Sequence, residues 1–171
     1  MSDWIGPNVY RIENYKDRNA AVSLASGNRA DDTPVVIWNN DTNKNDRWMF
    51  VHLGVGDSGK EEYHIINRKS GTYMSCGSGT KQEKLFGNTL SPWLNRVRWN
   101  ITPTRNETGT YWITAAANKN LKLVTVGESL TNNTALQIWE GPISSKACWW
   151  YLKLDDDAIL QTPDLGKAPK P

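Results

Sequence analysis

A tryptophan that recurs at a fixed interval is the feature that most constrains the fold of this chain. Trp48, Trp99 and Trp150 lie 51 residues apart. Each belongs to a short segment, and the segments read Arg47-Trp48-Met49-Phe50, Arg98-Trp99-Asn100-Ile101 and Trp149-Trp150-Tyr151-Leu152. A recurrence of this period is typical of a fold built from internal repeats. The sequence therefore predicts three copies of one structural unit.

A second pattern stays in phase with the first. Tyrosine and isoleucine alternate with other residues in three segments, namely Val9-Tyr10-Arg11-Ile12, Glu62-Tyr63-His64-Ile65 and Thr110-Tyr111-Trp112-Ile113. Their spacing differs by a few residues from repeat to repeat, and insertions collect in loops while strands build the core. The pattern therefore indicates strands that keep their phase and loops of unequal length.

Each repeat divides into short strands separated by turn residues. In the first repeat we predict strands at 9–14 and 20–25 and two more within 34–50, followed by a break at 52–59. In the second repeat we predict strands at 63–68, 73–76, 84–87 and 97–102. In the third repeat we predict strands at 111–116, 121–125, 136–139 and 149–154. Three four-stranded units that close around a pseudo-threefold axis bury each other's apolar faces and strand edges. We therefore predict an all-β single domain over residues 1–154, with repeats at about 7–54, 60–104 and 108–154, and a flexible C-terminal tail over 155–171.

Composition and charge limit the function classes. A chain of 171 residues suits one domain with a hydrophobic core. The formal net charge is +2 and basic residues alternate with acidic ones, whereas nucleic-acid binding needs cations gathered on one face, so we expect no nucleic-acid partner. The first residues contain neither a basic start nor an apolar run. We therefore expect no signal peptide, no membrane insertion and a cytoplasmic location.

The sequence offers little for catalysis or metal binding. In a cytoplasmic protein Cys76 and Cys148 are expected to be reduced thiols, and two cysteines and two histidines at unrelated spacings predict no metal site. Residues 54–60 resemble part of a phosphate-binding loop, but Glu61 replaces the magnesium-binding Ser or Thr and a strand is predicted to follow. We interpret this segment as a glycine-rich hairpin and predict a protein with no catalytic residues and no cofactor.

The strands that end in Trp38 and Trp139 resemble those of a known family. Leu136-Gln137-Ile138-Trp139 matches the Gln-x-Trp signature of the ricin-B-type β-trefoil lectins, and Val36-Ile37-Trp38 keeps the Trp but lacks the Gln. Residues 9–50, together with 62–67 and 70–73, are similar to the small cytosolic lectins of filamentous fungi and mushrooms. The resemblance covers residues 7–154. It implies a β-trefoil that binds terminal galactose or N-acetylgalactosamine on glycoconjugates, and a homodimer whose contact could include Trp4 or Trp93.

The resemblance also locates a sugar site in the first repeat. A galactose ring needs one aromatic platform for its apolar face and polar groups for its hydroxyls. In the family the platform ends the third strand, and the rim comes from the second strand, the loop after it and an Asn shortly before the closing Trp. The first repeat has these parts, with Trp38 as the platform and Ser23, Ser26, Gly27, Asn28, Asn45 and Asp46 at the rim. Ser23 stands where many relatives have Asp, so Asp46, Asp31 or Asp32 is expected to supply a carboxylate.

The third repeat matches this pattern less well. It has Trp139 and Gln137, but Ala147 and Cys148 precede its closing Trp, and Lys122 stands on its second strand. Apolar side chains leave sugar hydroxyls without hydrogen-bond partners. The third repeat is therefore the weaker candidate.

The second repeat lacks the platform. Phe86 and Gly87 lie near that position, and Arg96 and Val97 stand at the rim. We predict that this repeat is structural, with Trp93 on its long loop as an exposed contact for a partner.

A second function class remains open beside the lectin. Mushroom trefoils of this size include protease inhibitors that act through exposed loops, and residues 88–96 and 54–60 could form such loops. The complete platform and rim of the first repeat favour the lectin, because an inhibitor has no need of them.

Overall fold

The structure of the protein is a computed structural model that describes residues 1–142 and 144–155. Over these residues the chain forms twelve strands and no α-helix, which confirms the all-β prediction. The strands are β1 (Asn8–Asn14), β2 (Ala20–Leu24), β3 (Thr33–Asn39), β4 (Arg47–Val55), β5 (Glu61–Asn67), β6 (Tyr73–Ser75), β7 (Phe86–Asn88), β8 (Arg98–Pro103), β9 (Tyr111–Ala115), β10 (Lys122–Thr125), β11 (Leu136–Trp139) and β12 (Trp150–Leu154). Short 3-10 turns lie at Ala25–Gly27, Asn95–Val97, Val126–Glu128 and Lys146–Cys148. The part of the chain that the structure describes has no helix with the length and apolar character needed to span a membrane.

Six of the strands close into an antiparallel barrel. β1 pairs with β12 and β4, β5 pairs with β4 and β8, and β9 pairs with β8 and β12. The other strands form three hairpins, one in each repeat, in which β2 pairs with β3, β6 with β7 and β10 with β11. Each repeat thus contributes two barrel strands and one hairpin, which is the β-trefoil arrangement predicted from the sequence.

One strand boundary differs from the prediction. The break expected at 52–59 is wrong at its start, because β4 continues to Val55 through a register shift between His52 and Gly54. A β-bulge of this kind absorbs an extra residue without ending the ladder. The turn itself is closed by the Gly56 N–H, which donates to the Lys60 carbonyl at 2.9 Å. The glycine-rich segment therefore forms a hairpin turn between β4 and β5.

The recurring tryptophans explain the period of the sequence. Trp48, Trp99 and Trp150 are fully buried. Each indole N–H donates to a carbonyl in the middle of the hairpin strand of its own repeat, namely that of Val22 at 2.8 Å, Met74 at 2.9 Å and Leu123 at 3.0 Å. A buried N–H needs such a partner. Each tryptophan therefore fills the core and ties one barrel strand to one hairpin.

The N-terminal segment contributes an aromatic residue to the core. Trp4 packs against Tyr10, Tyr63 and Tyr111, with ring centroids 5.0, 5.5 and 6.0 Å away. These tyrosines come from the three repeats, so Trp4 lies where the repeats meet. Trp4 is thus partly buried within the domain, and not exposed as expected from the sequence, whereas Trp93 is 81% exposed.

Asp155 belongs to the folded domain. Its side chain is buried and accepts hydrogen bonds from Arg47 Nε at 3.1 Å and Arg68 Nη1 at 2.8 Å. Its N–H donates to the Val9 carbonyl at 3.0 Å. The prediction that a flexible tail begins at 155 is therefore wrong for this residue, because buried ion pairs hold it; the rest of the predicted tail, 156–171, lies outside the described residues.

Both cysteines are free and buried. Burial raises the pKa of the Cys76 thiol to about 12 and also raises the pKa of the Cys148 thiol. Thiols in such surroundings stay protonated and unreactive.

Candidate functional site

The first repeat carries a surface pocket of about 170 Å³. Its walls come from β2, from the end of β3, from the loop that follows β3, and from the loop between β10 and β11. The polar and aromatic residues that line it include Ser23, Ser26, Trp38, Asp41, Asn45 and Asn133. The third repeat is held in place here because the Asn133 N–H donates to the Ile37 carbonyl at 2.9 Å. The pocket is therefore shared between two repeats that are distant in sequence.

Trp38 faces this pocket. Side chains alternate along a strand, so Ile37 points into the core with no exposed surface while Trp38 is 41% exposed. Trp38 lies opposite Ala21 of β2, a small residue. It is therefore a partly exposed residue at the surface pocket and not a core tryptophan.

A carboxylate reaches the pocket from a residue that was not among the predicted site residues. Ser23, which is buried on β2, donates its hydroxyl hydrogen to Asp41 Oδ2 at 2.9 Å. Asp41 Oδ1 accepts the N–H of Asn43 at 2.8 Å. These contacts orient the carboxylate, and the serine hydroxyl keeps lone pairs that can accept. The signal in the sequence was the polar loop that directly follows Trp38, which supplies Asp41.

Asp46 does not face the pocket, so its prediction as a rim residue is corrected. It is fully buried, and its carboxylate pairs with Arg11 Nε at 2.7 Å and with Arg47. Asn45 lines the pocket and Asp46 does not. Through Arg11 of β1 and Arg47 of β4, the Asp46 carboxylate instead ties these two barrel strands together.

Asp31 and Asp32, the other carboxylates considered for this site, lie against the second repeat. Asp31 Oδ1 accepts the N–H of Thr89 at 2.6 Å, and the Asp32 N–H donates to Asn88 Oδ1 at 2.8 Å. Those hydrogen bonds from Thr89 lower the pKa of Asp31. Neither aspartate lines the first-repeat pocket.

The loop after β2 brings only part of the predicted rim to the pocket. Ser26 and Gly27 adopt left-handed conformations with φ of 55° and 61°, and Ser26 lines the pocket. Gly27 lies behind Asn45, and a Cβ added to Gly27 would stand 2.4 Å from Asn45 Oδ1. Asn28 is exposed outside the lining, and its Oδ1 accepts the Ala30 N–H at 3.1 Å.

Asn45 is held through both its backbone and its side chain. It is 7% exposed. Its backbone carbonyl accepts the N–H of Leu24 at 3.1 Å and the amide of Asn67 at 2.7 Å, and its side-chain oxygen accepts from Lys69 Nζ at 2.9 Å. Lys69 belongs to the second repeat, and nothing in the sequence pattern pointed to it.

In the third repeat, apolar side chains stand at the positions that Ser23 and Asn45 hold in the first. Trp139 lies opposite Lys122, and Gln137 lies opposite Val124. In the first repeat Trp38 lies opposite Ala21, and Ser23 lies two residues further along β2. Val124 is therefore the counterpart of Ser23, and Lys122 is not. Val124, Ala147 and Cys148 form a buried cluster beside Trp139. A Cβ added to Gly141 would stand 2.3 Å from a ring atom of Trp139, so this glycine lies against the indole. Trp139 is thus partly covered, and it lines a pocket of about 210 Å³ together with Gln82, Thr125, Glu128 and Gln137.

The second repeat has a larger pocket of about 460 Å³ without an indole. The register of β6 with β7 places Asn88 at the position of Trp38, where Phe86 and Gly87 were expected. The Asn88 amide donates to Ser75 Oγ at 2.9 Å, so it is already engaged. Charges of both signs line this pocket, from Asp31, Asp32, Glu83, Lys84 and Arg96. Phe86 is the aromatic residue in its lining, and no tryptophan takes part.

Glu83 stabilises the loop beside that pocket. Burial raises the pKa of its carboxyl, but hydrogen bonds from Thr80, Ser78 and Gly79 outweigh burial and lower the pKa to about 2. Over residues 1–142 and 144–155, the His, Cys, Asp and Glu side chains form no group able to hold a metal ion.

The fold has counterparts among known proteins. The chain aligns with a mosquitocidal holotoxin at 26% identity and a TM-score of 0.76, covering 90% of this chain and only 18% of the toxin. It aligns with the Rhizoctonia solani agglutinin at 18% identity and a TM-score of 0.75, covering 91% of this chain and all of the agglutinin. It aligns with the Macrolepiota procera ricin B-like lectin, solved in complex with lactose, at 17% identity and a TM-score of 0.71, covering 90% of this chain and all of the lectin.

No curated protein matches the sequence. The model of the ricin-type beta-trefoil lectin domain-like family matches residues 44–139, more than half of the chain. The match spans the closing strand of the first repeat, the whole of the second and the Gln-x-Trp strand of the third. Together with the twelve-stranded trefoil, it shows that this chain belongs to the ricin-type β-trefoil lectin domain-like family.

Proposed function

We propose that this chain is a lectin that binds terminal galactose or N-acetylgalactosamine of neutral glycans and catalyses no reaction. The observation that carries the proposal is the half-exposed Trp38 at a pocket whose other groups are Ser23, Asp41 and Asn45. A hydroxyl-rich ring with one apolar face suits this combination. Family membership and the likeness to the Macrolepiota procera lectin, which was solved with lactose, support it.

Each group has a defined task in this proposal. The indole of Trp38 covers the apolar face of the sugar. The carboxylate of Asp41 accepts hydrogen bonds from sugar hydroxyls, and bonds to a charged acceptor are the stronger kind. Asn45, whose oxygen is engaged by Lys69, offers its amide hydrogens to a hydroxyl oxygen. Ser26 lies at the edge of the pocket, where it can contact the rest of the glycan.

The proposed ligand is a neutral sugar because of Asp41. An anionic substituent about 4 Å from this carboxylate would cost on the order of 4 kcal/mol at an effective dielectric of 20. Asp46 does not exert this repulsion, because Arg11 and Arg47 neutralise its charge.

One sugar site per chain gives only weak, monovalent binding to a glycan surface. We therefore also propose that the protein acts as a homodimer that presents two sites. Trp93, 81% exposed on the loop before β8, is the aromatic residue we expect in the contact. The loop is anchored because His64 Nε2 lies 3.0 Å from the Pro92 carbonyl and the Arg98 guanidinium lies 6.0 Å above the Trp93 ring. We do not propose protease inhibition, since the family match and the similar structures favour a lectin.

A glycan array run on the intact chain tests the proposal. We expect binding to glycans that end in galactose or N-acetylgalactosamine, and loss of that binding in Trp38→Ala. Val55→Ala is the control, because it truncates a 66% exposed apolar side chain on β4, away from the pocket and from the proposed dimer contact. An intact chain that binds no neutral glycan would refute the proposed function.

A further inference from the structure

We infer that Lys69, from the turn after β5 in the second repeat, is a positioning residue of the first-repeat pocket that makes Asn45 a hydrogen-bond donor to the ligand. This inference rests on the proposed function and deepens it. It assigns a role in sugar recognition to a lysine that the family pattern does not include. The argument follows from the contacts of Asn45, Lys69 and Gly27.

Lys69 holds the side-chain oxygen of Asn45. Its ammonium group donates to Asn45 Oδ1 at 2.9 Å. The backbone of Asn45 is fixed as well, since its carbonyl accepts from Leu24 and from the Asn67 amide. Asn45 therefore has little freedom to turn within the pocket wall.

The ammonium group also decides which end of the amide faces the ligand. The oxygen and nitrogen of an Asn side chain differ little in shape, so their placement depends on hydrogen-bond partners. An ammonium group only donates, so it requires the amide oxygen on its side. Asn45 Nδ2 makes no hydrogen bond to any described residue, and Asn45 lines the pocket. The amide hydrogens are thus the groups that remain for a ligand.

The local backbone is built to deliver Lys69. Asn67 Oδ1 accepts the N–H groups of Lys69 at 3.2 Å and Ser70 at 3.1 Å, which fixes the turn after β5. Gly27 makes room for the contact, because a Cβ there would stand 2.4 Å from Asn45 Oδ1 and 2.9 Å from Lys69 Cδ. Gly27 therefore serves the site from behind Asn45 and need not touch the sugar.

The consequence is a pocket with two different polar walls. On one side Ser23 donates to Asp41, which leaves acceptors for the ligand. On the other side Lys69 engages the oxygen of Asn45, which leaves donors. A sugar hydroxyl beside Asn45 must therefore act as an acceptor, while a hydroxyl beside Asp41 must act as a donor.

The test is a double-mutant cycle on the full chain, with lactose as the probe and isothermal titration calorimetry as the measurement. In Lys69→Met the Asn45 amide loses its hydrogen-bond donor and can flip and rotate. Ordering one such side chain on binding has a free-energy cost, which corresponds to about a three- to tenfold loss of lactose affinity. Lys69→Arg, which still donates, should bind within about twofold of the parent. In an Asn45→Ala background, Lys69→Met should change the affinity by less than about twofold, because nothing remains for it to position.

Lys60→Met is the matched control, since Lys60 is an exposed lysine on the turn between β4 and β5. If thermal unfolding shows that Lys69→Met is less stable than the parent, the titrations are run at a temperature at which the variant is fully folded. Parent affinity in Lys69→Met, or an equal loss in the Asn45→Ala background, would overturn the positioning role while leaving the lectin proposal intact. A parent chain that binds neither lactose nor any other glycan refutes both.

Discussion

Replacing Trp38 with alanine should remove most of the sugar affinity while leaving the fold in place. A tryptophan side chain covers up to about 250 Å², and Trp38 is 41% exposed, so about 100 Å² is free to contact a ligand. At about 25 cal/mol per Å² of apolar surface, full coverage is worth about 2.5 kcal/mol. A sugar stacked on one face covers most of this area. We therefore expect a loss of about 2 kcal/mol, or about thirtyfold in affinity.

The fold should tolerate the change because Trp38 adds little to the core. Its neighbour Ile37 provides the buried side chain of that strand segment, and the pairing of β3 with β2 depends on the backbone. Calorimetric titration with lactose measures the affinity, and thermal unfolding measures the stability. The reasoning is refuted if Trp38→Ala stays folded and binds lactose as tightly as the parent, or if Trp93→Ala loses as much affinity.

Three further predictions concern ligand charge, pH and assembly. Lactose affinity should change by less than about twofold between low and high salt, and neutral glycans should bind better than sialylated or sulfated ones. Recognition through hydroxyls contains no ion pair that salt could screen. A steep loss of affinity with salt would contradict this prediction. Since the pKa of Glu83 is lowered to about 2 in the folded chain, its contribution to stability is present above its ordinary value of 4.5 and is lost as the pH falls from there towards 2. Glu83→Gln should therefore be less stable than the parent at neutral pH, with a smaller difference at pH 2, as measured by chemical unfolding; equal stability at neutral pH would argue against it. Trp93→Ser should shift the chain from dimer to monomer in sedimentation velocity. The variant should no longer agglutinate cells, and its lactose affinity should be unchanged. A parent chain that sediments as a monomer and still agglutinates cells would contradict the dimer and point to a second site near Trp139.

The sequence predicted the architecture because the signal for it is local and repeated. One buried indole in each repeat donates to a hairpin carbonyl, so Trp48, Trp99 and Trp150 must recur at the interval of the structural unit. Alternation along β3 likewise shows that Trp38 and Ile37 face opposite ways. The platform of the candidate site could therefore be named without a structure.

The rim of the site could be predicted only in part, because its partners are distant in the chain. Asp46 looked available from its position beside Asn45, but it pairs with Arg11, which lies 35 residues earlier. The carboxylate that reaches the pocket belongs to Asp41, and Ser23 meets it across 18 residues. Lys69 contacts Asn45 across 24 residues and from another repeat.

The sequence by itself thus determined that this chain folds as a trefoil of three repeats and that the first repeat presents an exposed tryptophan. The tertiary structure alone decided that Asp41 shares the pocket of that tryptophan, that Lys69 engages the side-chain oxygen of Asn45, and that Val124 and Ala147 stand at the corresponding positions of the third repeat. The physical reason is that strand periodicity is set by neighbouring residues, whereas ion pairs and hydrogen bonds at a pocket are set by loops that meet only when the repeats pack together.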